Sequence, residues 1–411
     1  MSSPGIEVRL PNSVKAQRYR VALYSHDTMG LGHMRRNLLL AQALQHSPLQ
    51  AVVLMIAGAR EASLVTGAAG VDCVALPSLW KDLGGQYRPR HLDVSLDDLL
   101  CVRARTAAAA LDAFAPDVLI VDNVPRGALR ELDLALETLR AQGRTRLVLG
   151  LRDVLDDPVT LQGEWTRAQN DEAVRRYYDA VWVYGDPAVY DAVREYAFTP
   201  DVANKVRYTG YLDQRARTRY AGGPHGDPVA ALGLPPGPLA LCLVGSGQDG
   251  AQLAEAFAEA ELPADTNGVL VTGPSMPLDV RRRIARATAG RPGRRIVRFL
   301  SEPTRLVRCA NHIVAMGGYN TICEVLSFRK AALIVPRVEP RREQLIRAER
   351  LQALGLVDVL HPADLTSTAL SDWLARERTP PLAARRRVDL NGLTRVPQLL
   401  AELVTKATDA A

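Results

Sequence analysis

At 411 residues, with 47% hydrophobic and 23% charged residues, the chain exceeds what one hydrophobic core usually organises. Its mean hydropathy of −0.06 excludes both a disordered polymer and an integral membrane protein. Lys and Arg (51) outnumber Asp and Glu (45), and the net charge of +6 favours an anionic ligand or surface. Nucleic acid is disfavoured, because aromatics make up only 5% and the basic residues are scattered.

Residues 1–17 read as an N-terminal extension; up to Tyr24 the chain mixes Glu7, Arg9, Lys15, Arg18 and Arg20 with no apolar stretch. A signal peptide is therefore not expected, and a cytoplasmic location is. Residues 18–214 then alternate short β-branched runs with helical periodicity. Residues 20–25 (RVALYS), 51–57 (AVVLMIA), 117–122 (DVLIVD), 146–151 (RLVLGL) and 180–184 (AVWVY) have the near-continuous apolar character of buried parallel strands. Residues 215–238 collect glycine and proline and read as an interdomain linker. The overlapping uncharged run 229–248 contains three prolines and four glycines, so it cannot span a membrane.

The alternation restarts over 239–388, with strands expected at 239–244, 268–272, 295–299, 312–315 and 332–335. The tail 389–411 has helical spacing after Gly392 and is expected to return to the domain boundary. The expectation is an α/β protein of two Rossmann-like, doubly wound parallel-sheet domains facing across a cleft. Cys73, Cys101, Cys242, Cys309 and Cys323 are odd in number with no Cys-x-x-Cys pair, which fits core thiols better than disulfides or zinc.

Ligands of doubly wound sheets bind beyond the carboxyl ends of the strands, so the loops there carry the chemistry. The first runs from His26 through Gly30 and Gly32 to His33, at the mouth of a helix over 37–45. Its glycines permit close ligand approach and its helix start favours an anion, though His33 could equally cap the helix. Another glycine-rich turn, Gly245-Ser246-Gly247-Gln248-Asp249-Gly250, follows the strand at 239–244; a plain tight turn is the competing reading. After 312–315 come Gly317, Gly318, Tyr319, Asn320, Thr321 and, one turn on, Glu324. Amides at such a helix start can hold a diphosphate and Glu324 can accept from a ribose diol, or the glutamate simply opposes the helix dipole. Beyond Pro336, Arg337 precedes Glu343 and Gln344, an acid and amide suited to sugar hydroxyls or merely solvated.

In order, these motifs resemble those of GT-B glycosyltransferases of the MurG type. The resemblance covers nearly the whole chain, most strongly over 299–356. Leu76-Pro77 with Gly85-Gln86-Tyr87-Arg88, the run 116–122 and Leu151-Arg152-Asp153 are also similar to an uncharacterised predicted-glycosyltransferase branch. The resemblance implies that the C-terminal half binds a nucleotide sugar. Glu324 would meet the ribose; Gly317, Gly318, Asn320 and Thr321 the phosphates; Glu343 and Gln344 the sugar; Phe299 and Leu300 the base. Gly32, Gly245, Ser246, Gly247, Gln248 and Arg337 would complete the donor side.

On this reading the enzyme is an inverting, metal-independent transferase using a UDP sugar or another nucleoside diphosphate sugar as co-substrate, with no other cofactor. The absence of any Asp-x-Asp sequence agrees with metal independence. His33 is the expected base, aided by Asp122 or Asp153. Trp80, Tyr87 and Arg88, in an irregular segment 79–105 that also holds Arg103, would with Asn123 and Arg152 receive a small-molecule or lipid-linked acceptor. Any membrane contact would be peripheral; acceptor, sugar and oligomeric state are not legible. The rivals are a nucleotide-sugar hydrolase, whose pseudaminic-acid-pathway form has a loop similar to residues 30–36, an epimerase of the same fold, and an inert nucleotide-sugar sensor.

Overall fold

The computed structural model describes residues 18–27, 32–58, 70–81, 86–220, 226–300, 302–376 and 388–408. The extension 1–17, Gly30 of the first glycine loop, Gly85, and residues 221–225 of the expected linker lie outside the described residues. Apolar runs with no polar face can be stable only when covered on both sides, and they assemble into two parallel sheets.

The first sheet contains β1 (Arg20–Ser25), β2 (Val52–Ala57), β3 (Val71–Ala75), β6 (Val118–Asp122), β7 (Arg146–Arg152), β8 (Ala180–Tyr184) and β9 (Val206–Tyr208). Their order is β3-β2-β1-β6-β7-β8-β9. Between β3 and β6, β4 (Leu79–Lys81) and β5 (Tyr87–Pro89) form an antiparallel pair. The second sheet has β10 (Leu239–Leu243), β11 (Asn267–Val271), β12 (Arg294–Val297), β13 (His312–Ala315), β14 (Ala331–Ile334) and β15 (Asp358–Val359), in the order β12-β11-β10-β13-β14-β15. Neighbours are parallel throughout both sheets. Two doubly wound α/β halves are therefore present. Among the described residues no helix is long and apolar enough to cross a membrane.

The halves are joined by packing as well as by chain. Arg215–Tyr220, inside the segment expected to be linker, is helical, with Ala216 and Arg217 buried. The C-terminal helix Gly392–Thr408 packs on Gly32–His46. One apolar cluster consequently runs from Leu39 and Leu44 through Ala216, Val396 and Leu400 to Leu306 and Val325. Across the boundary, Arg347 pairs with Asp153 (Nη2–Oδ1 2.7 Å), both side chains fully buried. Arg342 donates its amide to Asp156 Oδ1 (2.8 Å), and Arg341 pairs with Glu164 (2.8 Å).

Three sequence expectations need correction. The described residues of the segment 79–105 are not irregular: they comprise the antiparallel β4-β5 pair and the beginning of the helix Leu96–Phe114, whose N-cap Ser95 accepts from the Asp98 amide at 3.1 Å. The Ser95-x-x-Asp98 signature was present in the sequence and announces a helix start. Arg103 is not at the acceptor surface; it is buried against Glu131 (Nε–Oε2 2.5 Å) and donates to the Pro77 carbonyl, while the Tyr24 hydroxyl donates to the same glutamate. Finally, all five cysteines are free thiols, but Cys101 is exposed and only Cys242 and Cys323 are fully buried.

Candidate active site

The helix Gly32–His46 begins five residues earlier than its apolar periodicity suggests, because its cap lies upstream. Asp27, held at φ 42°, accepts from the Met34 amide through Oδ1 (2.9 Å) and from the Ser25 hydroxyl through Oδ2 (2.5 Å). Capping therefore falls to Asp27, and His33 is free for other work. Its Nδ1 meets Asp122 Oδ2 at 2.5 Å, at the carboxyl end of β6. Arg36, one turn along the helix, clamps the same carboxylate with Nη2 at 2.5 Å from Oδ1 and 2.6 Å from Oδ2.

Burial works to raise the Asp122 carboxyl, but the Arg36 guanidinium and the His33 ring outweigh it and hold the group well below the usual carboxylate range. A permanently ionised Asp122 accepts the Nδ1 proton, which leaves the His33 Nε2 lone pair as the acceptor. The His33 side chain is 22% exposed, so that nitrogen can be reached. Of the two expected helpers, the structure brings only Asp122 to His33. Asp153 accepts from Arg347, from the Tyr211 hydroxyl (2.9 Å) and from the Val154 amide (2.7 Å). It is an interdomain anchor.

The start of the helix Tyr319–Phe328 lies close by, with the Tyr319 ring 5.5 Å from the Arg36 guanidinium. A side chain at Gly317 would crowd the Gln344 carbonyl at 3.0 Å and Ile334, whereas one at Gly318 would meet nothing within 4 Å, so the space over the helix start is open. Asn320 crosses the cleft to donate to the Gly32 carbonyl (2.9 Å). Thr321 stands beside it in the first turn. Glu324, buried, accepts from the Thr304 hydroxyl (3.0 Å) and lies 3.4 Å from Arg35 of the first domain, both through Oε1. Burial raises its carboxyl, opposed by Arg35 and Arg217.

The turn Gly245-Ser246-Gly247-Gln248 follows β10. Gly245 and Gly247 have φ of 66° and 88°, and a Cβ on Gly247 would lie 2.2 Å from the Thr272 carbonyl, so glycine is required there for both reasons. Arg337, expected on the donor side, is paired with Asp249 (3.0 Å) and Glu343 (2.6 Å). Gln344 Oε1 accepts from the Arg337 amide (3.1 Å), and Glu343, engaged through Oε1 alone, has its Oε2 buried without a partner among the described residues. Phe299 is 50% exposed after β12, and Leu300 packs on the main core.

On the acceptor side, Trp80 is 44% exposed and sits opposite Arg88 in the β4-β5 pair, while Tyr87 packs against Leu79, Leu99 and Ala128. Trp80 and Arg88 are thus surface residues, and Tyr87 is part of a small core. Sequence reasoning missed His26, Arg36 and Tyr184. The His26 and His33 rings lie 4.6 Å apart; Tyr184 ends β8, and its hydroxyl occupies the space that a Cβ on Gly150 would fill. The available signal was positional, since His26 directly follows a buried strand and Tyr184 ends one. Around the cleft, buried polar atoms without a partner among the described residues accumulate: His26 Nδ1, Asn123 Oδ1, Arg152 Nε, the Tyr184 hydroxyl, Asn320 Oδ1 and Glu343 Oε2. Each such group costs about 1–3 kcal/mol if nothing pairs with it, so their concentration marks a place where a ligand completes the hydrogen bonding.

Comparison with known proteins bears on the fold that carries this site. Residues 241–402 match the model of the glycosyltransferase family 28 C-terminal domain. Comparison with curated proteins finds no match. Among solved structures, the MurG of Acinetobacter baumannii superposes with a TM-score of 0.56 at 16% identity, covering 93% of this chain and 99% of that one. The calicheamicin glycosyltransferase CalG4 gives 0.60 at 15%, with 95% and 100% covered. A putative UDP-N-acetylglucosamine 2-epimerase from Listeria monocytogenes gives 0.64 at 14%, with 96% and 98% covered. At these identities the likeness is one of fold.

Proposed function

We propose that this chain, whose residues 241–402 match the glycosyltransferase family 28 C-terminal domain, is a GT-B glycosyltransferase that moves a sugar with inversion and without a metal ion from a nucleoside diphosphate sugar, UDP sugars first among them, to an acceptor hydroxyl. The observation that carries this reading is the His33–Asp122 pair across the cleft from the open helix start at Gly318. His33 Nε2 takes the acceptor proton, and Asp122 stabilises the resulting imidazolium. The acceptor oxygen bonds to the anomeric carbon on the face opposite the diphosphate, whose departure with the bonding pair inverts that centre. The amides and dipole of the helix Tyr319–Phe328 receive the developing negative charge. Glu343 Oε2, lacking a protein partner, suits a donor-sugar hydroxyl.

No described residue donates to Glu324 Oε2, so that oxygen can take the ribose diol. Glu324→Ala is expected to weaken UDP binding by roughly ten- to a hundredfold, about 1.5–3 kcal/mol. Calorimetry tests it, and unchanged UDP affinity would remove Glu324 from the donor site. Because helix amides rather than a cation are assigned to the leaving group, transfer should persist in excess EDTA; loss that Mg²⁺ or Mn²⁺ restores would overturn metal independence. Proton NMR of a UDP sugar with the enzyme alone separates the rival chemistries. Free sugar would signal hydrolysis, a new UDP sugar epimerisation, and an unchanged donor agrees with transfer awaiting its acceptor.

A further inference from the structure

Four adjacent strands of the first sheet, β1-β6-β7-β8, end at the cleft, and each brings a buried polar atom with no hydrogen-bond partner. These are His26 Nδ1 just after β1, Asn123 Oδ1 just after β6, Arg152 Nε at the end of β7 and the Tyr184 hydroxyl at the end of β8. Register makes Arg152 and Tyr184 direct neighbours and sets Asp122 beside Gly150, two residues before Arg152. The His26 ring is 4.6 Å from that of His33, so a molecule touching this row reaches the base.

Arg152 differs from every arginine around it. Arg36 is held by Asp122, Arg347 by Asp153, Arg341 by Glu164 and Arg103 by Glu131. Arg152 forms no ion pair or side-chain hydrogen bond with any described residue, and its Nε is sealed from solvent. Burial, with Arg347 and Arg36 nearby, draws its guanidinium down to about 10, against the pull of Glu343; it still carries its charge at neutral pH. A guanidinium kept in such a place with its fork unused is a receptor for a carboxylate or phosphate.

We propose that the acceptor is a hydroxylated anion whose carboxylate or phosphate is held by Arg152, with His26, Asn123 and Tyr184 binding its hydroxyls and presenting one of them to His33. The neutral partners suit hydroxyl binding, because burial and the His33 ring keep His26 well below its usual range and burial raises Tyr184, so both offer uncharged hydrogen-bonding groups. This inference rests on the sugar-transfer reading of the cleft.

Calorimetry on the full chain saturated with UDP tests it, with D-glucuronate, D-glucose 6-phosphate and D-glucose as probes. The wild type is expected to bind at least one of the two anions about tenfold or more tightly than glucose; which anion wins separates a carboxylate from a phosphate acceptor. Arg152→Gln should abolish that preference while UDP affinity stays within about twofold, and Arg152→Lys, which keeps the charge, should retain part of it. Equal binding of glucose, or no binding of any probe, overturns the proposal. So does a tenfold or greater loss of UDP affinity in Arg152→Gln, which would assign the guanidinium to the donor diphosphate. A wild-type chain that does not bind UDP fails in the first titration, and that result removes the transfer reading itself.

Discussion

His33→Ala is expected to lower turnover by roughly 10²- to 10⁴-fold, the usual worth of a positioned general base, while UDP affinity remains near that of the wild type. The two effects separate because the groups assigned to the nucleotide, Glu324 and the helix start at Gly318, belong to the other domain, whereas His33 is held by Asp122, itself clamped by Arg36, within its own. Asp122→Asn should reproduce most of the loss. An amide there can donate to Nδ1, which would place the imidazole proton on Nε2 and cost the base its lone pair; it also leaves the buried Arg36 with no counter-charge. Transfer assays with a verified acceptor, paired with UDP calorimetry, provide the check. Turnover close to wild type in His33→Ala would remove this residue from the mechanism.

Asp153→Ala should destabilise the protein by about 3–5 kcal/mol, read as a fall in the thermal or denaturant midpoint. The carboxylate takes hydrogen bonds from Arg347 Nε and Nη2, from Tyr211 and from the Val154 amide. Its removal strands a guanidinium that is entirely out of solvent. Because Arg347 also donates to the Gly317 and Val154 carbonyls, the loss should reach the donor loop and weaken UDP binding too. Replacing both partners, Asp153→Leu with Arg347→Met, should recover most of the stability, since the buried charges vanish together. A single-variant loss below about 1 kcal/mol would mean that water reaches the pair in solution, as it would if the two domains stand apart there.

Strands whose signal is local were legible in the sequence. Residues 20–25, 180–184 and 312–315 are β1, β8 and β13 to the residue, because central parallel strands are covered on both faces and must be apolar throughout. Edge strands β3, β9 and β15 escaped notice: only one residue of β3, one of β9 and none of β15 is buried, so they carry no continuous apolar run, whereas the edge strand β12 was expected at 295–299 although none of its residues is buried. Glycine turns were legible for a similar reason, since a positive φ at Gly245 or Gly247 is a demand of the backbone itself.

Polar partnership was not legible, and the site depends on it. The His33–Asp122 contact joins residues 89 apart in sequence, and Asp153–Arg347 joins residues 194 apart. Strand-end placement suggested that both aspartates faced one cleft, but it could not tell which would be taken by an arginine from the opposite domain. By itself the sequence determined two doubly wound halves, the glycine loops at their strand ends and a histidine at the first of them. The tertiary structure alone decided which carboxylate serves that histidine, that Arg103 is an internal anchor and that Arg152 is left unpaired. The reason is physical: sheet order brings the ends of β1, β6, β7 and β8 side by side, and burial then makes every polar atom there either find a partner or keep a place for a ligand.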